Sequence, residues 1–184
     1  RNALDHDALL GLLAALDSAV GAGSTRALVI CGAGGHFCAG ADLTTVEDEQ
    51  FVSTLRRVLS ALLRAPFPTI AGVEGAALGA GTQLAVACDL RVATEDASFG
   101  IPAGKLGLMV DQWTVRRLTA VVGEPVARAM FLGAQVYSGA DAHRLGFVQR
   151  QGGVGDALAW AEEITRLAPL SLAGHKLGLN EAED

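Results

Sequence analysis

Residues 72–89 read G-V-E-G-A-A-L-G-A-G-T-Q-L-A-V-A-C-D, a glycine-dense turn between two apolar segments. The apolar run Thr69 to Val73 predicts a buried strand, and Thr82 to Cys88 predicts a buried helix. The glycines between Gly75 and Gly81 permit backbone angles that a Cβ forbids, and they let another molecule approach the main chain. The first turn of the helix would present unpaired N–H groups and a partial positive charge. Such a turn suits the stabilisation of negative charge on a carbonyl oxygen.

The same order of elements occurs earlier in the chain. Ala27 to Cys31 predicts a short buried strand, and residues 32–43 form a second glycine-rich loop, G-A-G-G-H-F-C-A-G-A-D-L. An amphipathic helix is predicted from Thr45 to Ala65, where Pro66 and Pro68 end it. Two strand–glycine loop–helix units indicate mostly parallel strands with right-handed crossovers. We therefore expect an α/β fold, with residues 1–184 as a single domain.

Further elements follow from apolar spacing and from capping residues. Asn2 or Asp5 is expected to cap a first helix, which ends at Gly21 to Gly23. We also predict strands at Leu90–Ala93, Ala97–Phe99 and Phe147–Arg150, and helices from Asp111 through Val122, at Pro125–Leu132, Ala140–Leu145 and Asp156–Ala168, and from Pro169 onward.

Composition narrows the class of protein. The chain has 184 residues, of which 51% are hydrophobic and 18% charged, enough for a substantial core. The formal net charge is −6 with dispersed basic residues, which argues against nucleic acid as a partner. Three cysteines at irregular spacing fit no disulfide or metal framework, so a cytoplasmic location is expected. No membrane span or signal peptide is visible, and we expect segments to be missing at both ends.

Glycine-rich loops after buried strands also occur in nucleotide-binding folds, so this alternative needs weighing. Neither loop gives the dinucleotide pattern G-x-G-x-x-G, and no Walker lysine follows either one. A nucleotide site is therefore the less favoured interpretation.

Taken together, the two loops carry a resemblance to a known family. Six stretches of the chain, in this order, resemble the crotonase family of enoyl-CoA hydratases and isomerases. They are F-C-A-G-A-D-L, G-A-A-L-G-A-G-T-Q-L-A-V-A-C-D-L-R, A-S-F-G-I-P, L-G-L-M-V-D-Q-W-T-V-R-R-L, V-G-E-P-V-A-R-A-M-F-L-G-A and S-G-A-D-A-H-R-L-G-F-V. The resemblance covers nearly the whole chain. It implies a spiral of β-β-α turns with flanking helices, a homotrimer or a dimer of trimers, and an acyl-CoA thioester as ligand without a further cofactor or metal.

The resemblance also implies which residues form the site. Two backbone N–H groups, at Ala41 and Ala80, match the positions of the family's oxyanion hole. The family usually has glycine at position 80, but alanine preserves the donor because the donor is main chain. The residues expected to contact the ligand around these two are Ala3, Leu4, Ala39, Gly40, Asp42, Leu43, Gly79 and Trp113.

The acids that the family uses for hydration are absent at the matching positions. Hydratases place two glutamates beside the substrate double bond, and here Gln83 and Ala103 stand in their places. An amide can hold a water molecule but cannot accept its proton, and alanine can do neither. Asp111 matches an aspartate that dienoyl-CoA isomerases use for proton transfer. It is equally well placed to cap the helix that follows, and the two roles are compatible.

Three functions therefore remain open. The chain could bind a fatty acyl thioester for transfer to a partner protein of fatty-acid metabolism, with weak or no hydratase activity. It could instead be an isomerase that uses Asp111. The third possibility, a structural module that does not bind coenzyme A, fits the retained glycine loops least well.

Overall fold

The computed structural model describes residues 1–42 and 48–181. The eight helices of these residues are α1 His6–Gly21, α2 Glu49–Arg64, α3 Ala80–Ala87, α4 Gln112–Val122, α5 Glu124–Leu132, α6 Gly139–Arg144, α7 Val154–Thr165 and α8 Pro169–Glu181. The strands are β1 Leu28–Cys31, β2 Thr69–Val73, β3 Ala76–Leu78, β4 Leu90–Ala93, β5 Ser98–Gly100, β6 Tyr137–Ser138 and β7 Arg150–Gln151. A 3-10 helix covers Pro102–Leu106.

The strands form two sheets that the chain visits in alternation. One sheet has the order β1-β2-β4-β7 with all neighbours parallel, and the other has the order β3-β5-β6 with only β6 antiparallel. The units β2-β3-α3 and β4-β5-α4 each give one strand to each sheet before a helix follows. In the first unit, Cys38 pairs with Ala77 of β3 as an isolated bridge. The expected spiral of β-β-α turns is therefore confirmed.

The centre of the molecule is apolar on every side. All five residues of β2 and all eight of α3 are buried, as their lack of charged side chains predicts. Helix α2 buries one face, with Phe51, Leu55 and Leu59 pointing inward, and leaves its arginines outside. The polar side chains that α3 itself buries, Thr82 and Gln83, are both hydrogen-bonded within the protein.

Two sequence predictions about local structure were wrong. The segment from Gly75 to Gly81 contains the strand β3, because Ala76–Leu78 pairs with β5 on one side and with Cys38 on the other. The strand predicted at Phe147–Arg150 occurs only at Arg150–Gln151. The ring of Phe147 packs edge-on against that of Phe99, with ring centroids 5.2 Å apart. Strand β6 was not predicted at all.

Most other boundaries agree to within a few residues. Asp5 caps α1, since its Oδ1 accepts from the backbone N of Ala8 at 2.8 Å. Asn2 instead donates from Nδ2 to the carbonyl of His36 at 2.6 Å, bracing the first glycine loop. Helix α2 is capped by Asp48 and begins at Glu49. The predicted start of this helix at Thr45 lies outside the described residues. Among the described helices, none is both long and apolar enough to cross a membrane.

Candidate functional site

The two glycine loops touch each other through their backbones. The N of Cys38 donates to the carbonyl of Ala76 at 2.8 Å, and the N of Leu78 donates to the carbonyl of Cys38 at 3.0 Å. A Cβ built on Gly81 would lie 2.2 Å from the carbonyl oxygen of Cys38. Glycine is required there because no real Cβ comes so close to a backbone oxygen, and this contact brings the first loop against the start of α3.

Ala41 and Ala80 follow glycines in conformations that favour glycine, Gly40 at φ +119° and Gly79 at φ +54°. Both alanines line one cavity of about 330 Å³. Among the described residues, no acceptor is hydrogen-bonded to the backbone N–H of either alanine. No side chain caps α3, whose first residue is Ala80. Within residues 1–42 and 48–181, both N–H groups therefore remain without an internal acceptor.

Neighbouring hydrogen bonds hold both positions in place. On either side of Ala41, the N of Leu4 donates to the carbonyl of Gly40 at 2.8 Å, and the N of Asp42 donates to the carbonyl of Leu4 at 2.7 Å. Before Ala80, the N of Gly79 donates to the carbonyl of Gly100 at 2.9 Å. The buried Thr82 hydroxyl accepts from the backbone N of Gly100 at 3.1 Å and donates to the carbonyl of Ala77 at 2.6 Å. The loop ends are thus fixed by bonds that leave the two intervening N–H groups untouched.

A buried chain of hydrogen bonds links Gln83 to Asp111. The amide Nε2 of Gln83 donates to Oγ1 of Thr114 at 2.7 Å, and that hydroxyl donates to Oδ1 of Asp111. A carboxylate only accepts, so it fixes the direction of the Thr114 hydroxyl, which in turn fixes the amide nitrogen of Gln83 toward Thr114. No described residue donates to Oε1 of Gln83. That oxygen is therefore the atom of the amide that can serve a ligand in the cavity.

Asp111 has a structural role beside its place in the cavity. It is the N-cap of α4, as predicted, with Oδ1 accepting from the backbone N of Thr114 at 3.1 Å. Its Oδ2 lies 3.9 Å from Nε of Arg56, an ion pair on the partly exposed side. Among the described residues that line the cavity, Asp111 is the one carboxylate. Oδ1 is therefore hydrogen-bonded, whereas Oδ2 has only a charged neighbour.

The structure brings together most of the residues that the sequence predicted. The cavity is lined by Ala39, Gly40, Ala41, Gly79, Ala80, Gln83, Ala103 and Asp111, all of them predicted. Four predicted contact residues, Ala3, Leu4, Asp42 and Trp113, do not line it, and Leu43 lies outside the described residues. Leu4 supports the site from behind, paired with Ala41. Trp113 lines a separate cavity of about 830 Å³ that residues of α2 and α8 also line.

Several lining or supporting residues were missed. Arg56 and the apolar residues Phe51, Val52, Leu55 and Leu59 of α2 form one wall. Their helical spacing was visible, but nothing local shows that this helix lies over the glycine loops. Thr114 was also missed. The pattern D-Q-W-T, with a polar residue three positions after the N-cap, was the available signal.

The far end of α3 is closed by Arg91. Its guanidinium Nη1 donates to the carbonyls of Ala85 at 3.0 Å and of Cys88 at 2.8 Å, and it lies 4.9 Å from the centre of the Phe147 ring. Burial lowers the pKa of Arg91 to about 10. Burial also raises the pKa of Cys88 to about 12 and raises that of Cys38. Both thiols are therefore packed neutral groups at neutral pH rather than nucleophiles.

Comparisons with known proteins agree with this architecture. A family model described as enoyl-CoA hydratase/isomerase matches residues 1–182. The chain is 43% identical over 182 residues to the probable enoyl-CoA hydratase echA6 of Mycobacterium tuberculosis, covering 98% of this chain and 74% of the relative. It is 35% identical to the 2,3-dehydroadipyl-CoA hydratase of Escherichia coli, covering 100% and 75%.

Solved structures give the same result for the fold. An enoyl-CoA hydratase from Bacillus anthracis superposes with a TM-score of 0.91 at 30% identity, covering 99% of this chain and 75% of that one. The Pseudomonas aeruginosa protein DspI gives a TM-score of 0.92 at 28% identity, covering 98% and 73%. From its sequence and its fold, the chain belongs to the enoyl-CoA hydratase/isomerase family, the crotonases.

Proposed function

We propose that this protein binds fatty acyl-CoA thioesters and holds the thioester oxygen between the backbone N–H groups of Ala41 and Ala80. The proposal depends on one observation above all. These two residues line the same cavity, and no described residue uses their N–H groups. Such donors, fixed in place before the ligand arrives, are the arrangement that favours a carbonyl oxygen as it gains negative charge.

We further propose that the protein has weak or no hydratase activity and acts as a carrier that delivers acyl groups to a partner in fatty-acid metabolism. Gln83 cannot take a proton from water, and its amide nitrogen is tied to Thr114. Ala103 lines the cavity with a methyl group at the place of the second acid. Each missing acid or base slows a reaction by a factor of about 10² to 10⁴.

Double-bond isomerisation by Asp111 is the second candidate. It is favoured because Asp111 lines the same cavity as Ala41 and Ala80. It is disfavoured because Oδ1 already accepts two hydrogen bonds from Thr114 and the other acids that such isomerases use are absent at positions 83 and 103.

The experiment that separates these candidates follows binding and turnover in parallel. Purified protein is mixed with a short and a long 2-enoyl-CoA while the absorbance of the conjugated thioester is recorded, and binding of a saturated acyl-CoA is measured by calorimetry. Micromolar binding without turnover supports the carrier. Turnover that Asp111→Asn abolishes supports the isomerase. Failure to bind any acyl-CoA contradicts both.

The oxyanion donor itself can be tested with proline. Ala80 is the first residue of α3, where proline is tolerated because the N–H there has no helical partner. Ala80→Pro is expected to weaken acyl-CoA binding about tenfold, the loss expected for one hydrogen bond to a polarised oxygen. Gln112→Pro, at the first residue of α4, is the matched control and should leave binding unchanged. Equal binding by all three proteins would contradict the proposed role of Ala80.

Restoring the acids tests the reason for weak hydration. The double change Gln83→Glu with Ala103→Glu is expected to raise the hydration rate detectably. No gain would mean that the cavity differs from a hydratase in more than its acids. A cytoplasmic location and a homotrimer or dimer of trimers belong to the same proposal, and sedimentation of the purified protein tests the assembly.

A further inference from the structure

An apolar cavity between the 3-10 helix and helices α4 and α5 lies next to the first cavity, the one that Ala41 and Ala80 line; we call it the second cavity. We propose that it holds the distal part of a long acyl chain whose thioester lies at Ala41 and Ala80. The preferred ligands are then long-chain rather than short-chain acyl thioesters. This inference rests on the proposed function and adds the class of ligand to it.

The two cavities are direct neighbours. The second has a volume of about 460 Å³, against about 330 Å³ for the first. Five residues line both of them and form the wall between them, namely Ile101, Ala103, Leu108, Met109 and Val110. A chain that runs from the thioester site past this wall would remain in contact with apolar side chains throughout. Each volume alone lies within the range of known ligand cavities, about 300 to 1,000 Å³.

Ala103 contributes an apolar side chain to the shared wall. Its side chain is a single methyl group. By the resemblance, the hydratases carry a glutamate at this position. A carboxylate at this place would put a solvated charge beside the path of the methylene groups, and desolvating that charge is costly. The alanine at the place of the lost acid therefore also keeps the wall shared by the two cavities apolar.

The polar groups of the second cavity are already satisfied within the protein. The Thr119 hydroxyl donates to the carbonyl of Val115 at 2.7 Å, as a helix side chain bonding to the preceding turn. Glu124 and Arg128 form an ion pair with 2.7 Å between Oε1 and Nε, and both side chains are exposed at the rim. The remaining lining is apolar, including Phe131, Leu132 and Ala127. Such a lining suits methylene groups better than a polar ligand.

Chain length is the quantity to measure. Burial of one methylene group tightens binding by about fourfold. We expect the affinity to rise at least about tenfold from butyryl-CoA to dodecanoyl-CoA. Calorimetry on the purified full chain, with butyryl-, octanoyl- and dodecanoyl-CoA, gives this ratio. Because it compares two ligands on one protein, the ratio is independent of how well the thioester site binds.

A variant that fills the second cavity tests its role. Val115 lines the second cavity but not the first, and it is 39% exposed, so Val115→Trp should fold. We expect this change to reduce the dodecanoyl-to-butyryl affinity ratio at least about fivefold, since fewer methylenes are buried. Val20→Trp is the matched control. Val20 lies on α1 at 45% exposure and lines neither cavity, so the wild-type ratio should persist. Thr119→Phe is the second filling variant if Val115→Trp does not fold.

The outcomes are distinct. A wild-type ratio near one, or a ratio that neither filling variant changes, overturns the inference and leaves the proposed function standing. Absence of binding by every acyl-CoA overturns both. If the filling variants alter the sedimenting mass and not the ratio, the cavity is a contact between copies of the chain, and the inference is wrong.

Discussion

The two ends of helix α3 differ in how completely they are satisfied. At its C-terminal end, the buried guanidinium of Arg91 donates hydrogen bonds to the carbonyls of Ala85 and Cys88. At its N-terminal end, Ala80 borders a cavity, and no side chain of the described residues caps the helix. Both ends lie in the interior, where an unsatisfied polar group is costly.

This contrast separates structure from function within a single helix. A positive charge at the C-terminal end is favourable for the helix dipole, and it makes that end a purely structural element. At the N-terminal end, Ala80 lines the cavity, and no acceptor among the described residues is hydrogen-bonded to its N–H. The difference between the two ends is what the proposed function requires, since a ligand would then complete the N-terminal one. The following changes test this contrast, from the largest expected effect to the smallest.

Removing the guanidinium should have the largest effect. Arg91→Ala strands several buried carbonyls and leaves a cavity beside Phe147, so we expect the free energy of unfolding to fall by about 4 kcal/mol. Urea unfolding measures it. Arg116→Ala, on the exposed face of α4, is the control and should change stability by less than about 0.5 kcal/mol. A small loss for Arg91→Ala would mean that the C-terminal end of α3 does not need its cap.

Disrupting the contact between the two glycine loops should cause the second-largest loss in the free energy of unfolding. Gly81→Ala places a Cβ against the carbonyl oxygen of Cys38, where the available separation is 2.2 Å. We expect a loss of about 2 kcal/mol in the free energy of unfolding, because backbone must move. Acyl-CoA affinity should fall as well. Gly155→Ala in α7 is the control, since no atom lies within 4 Å of its built Cβ. A stable Gly81→Ala protein that binds normally would show that the contact between the loops is not needed.

The closed end of α3 should also give a pH dependence. Burial raises the pKa of the Cys88 thiol from 9.0 to about 12, so the unfolded chain ionises first as pH rises. The stability that Cys88 contributes is therefore present in full up to about pH 8, and about 1.4 kcal/mol of it is lost between pH 8 and pH 10. Arg91, whose pKa is lowered to about 10, offsets about 0.4 kcal/mol of this loss by pH 10 and more above it. Chemical unfolding across this window measures the slope.

Two cysteine variants test whether ionisation of Cys88 causes this dependence of stability on pH. Cys88→Ala should flatten it, whereas Cys31→Ala, at an exposed position, should leave it as in the wild type. The buried Cys38, whose pKa is also raised, contributes a remainder of the same sign. An unchanged slope in Cys88→Ala would contradict the assignment to the end of α3.

Substitution of Asp111 should show the smallest effect. Two variants distinguish the contribution of its N-cap hydrogen bond from that of its charge. Asp111→Ala removes the N-cap of α4 and should cost about 1 kcal/mol, whereas Asp111→Asn keeps an acceptor for the backbone N of Thr114 and should cost less. Thermal or urea unfolding distinguishes them. Equal losses for both variants would show that the charge, through Arg56, matters more than the cap.

Much of the fold could be predicted because its signals are local. The strand Thr69–Val73 and the cap at Asp111 follow from apolar runs and from side-chain chemistry within a few residues. Strand β3 could not be predicted in this way. Its three residues are in a glycine-dense segment and become a strand only through partners at Cys38 and in β5.

The site divides along the same line. Ala41 and Ala80 were predicted from the family resemblance that the two glycine loops carry, and both line one cavity. The bond from Gln83 to Thr114 joins residues 31 positions apart, and the wall formed by α2 depends on how a helix crosses the sheet. Both are products of tertiary packing, for which the sequence carries no local signal. The second cavity is a further example.

The most direct test is the carbonyl stretching frequency of a bound thioester. An acyl-CoA labelled with ¹³C at the thioester carbonyl is studied by difference infrared spectroscopy, free and bound to the protein. Two N–H donors on the oxygen weaken the C=O bond, so the band should move to lower wavenumber on binding, and Ala80→Pro should reverse part of that shift. A bound thioester whose carbonyl absorbs where the free ligand does would contradict the assignment of Ala41 and Ala80 as its donors.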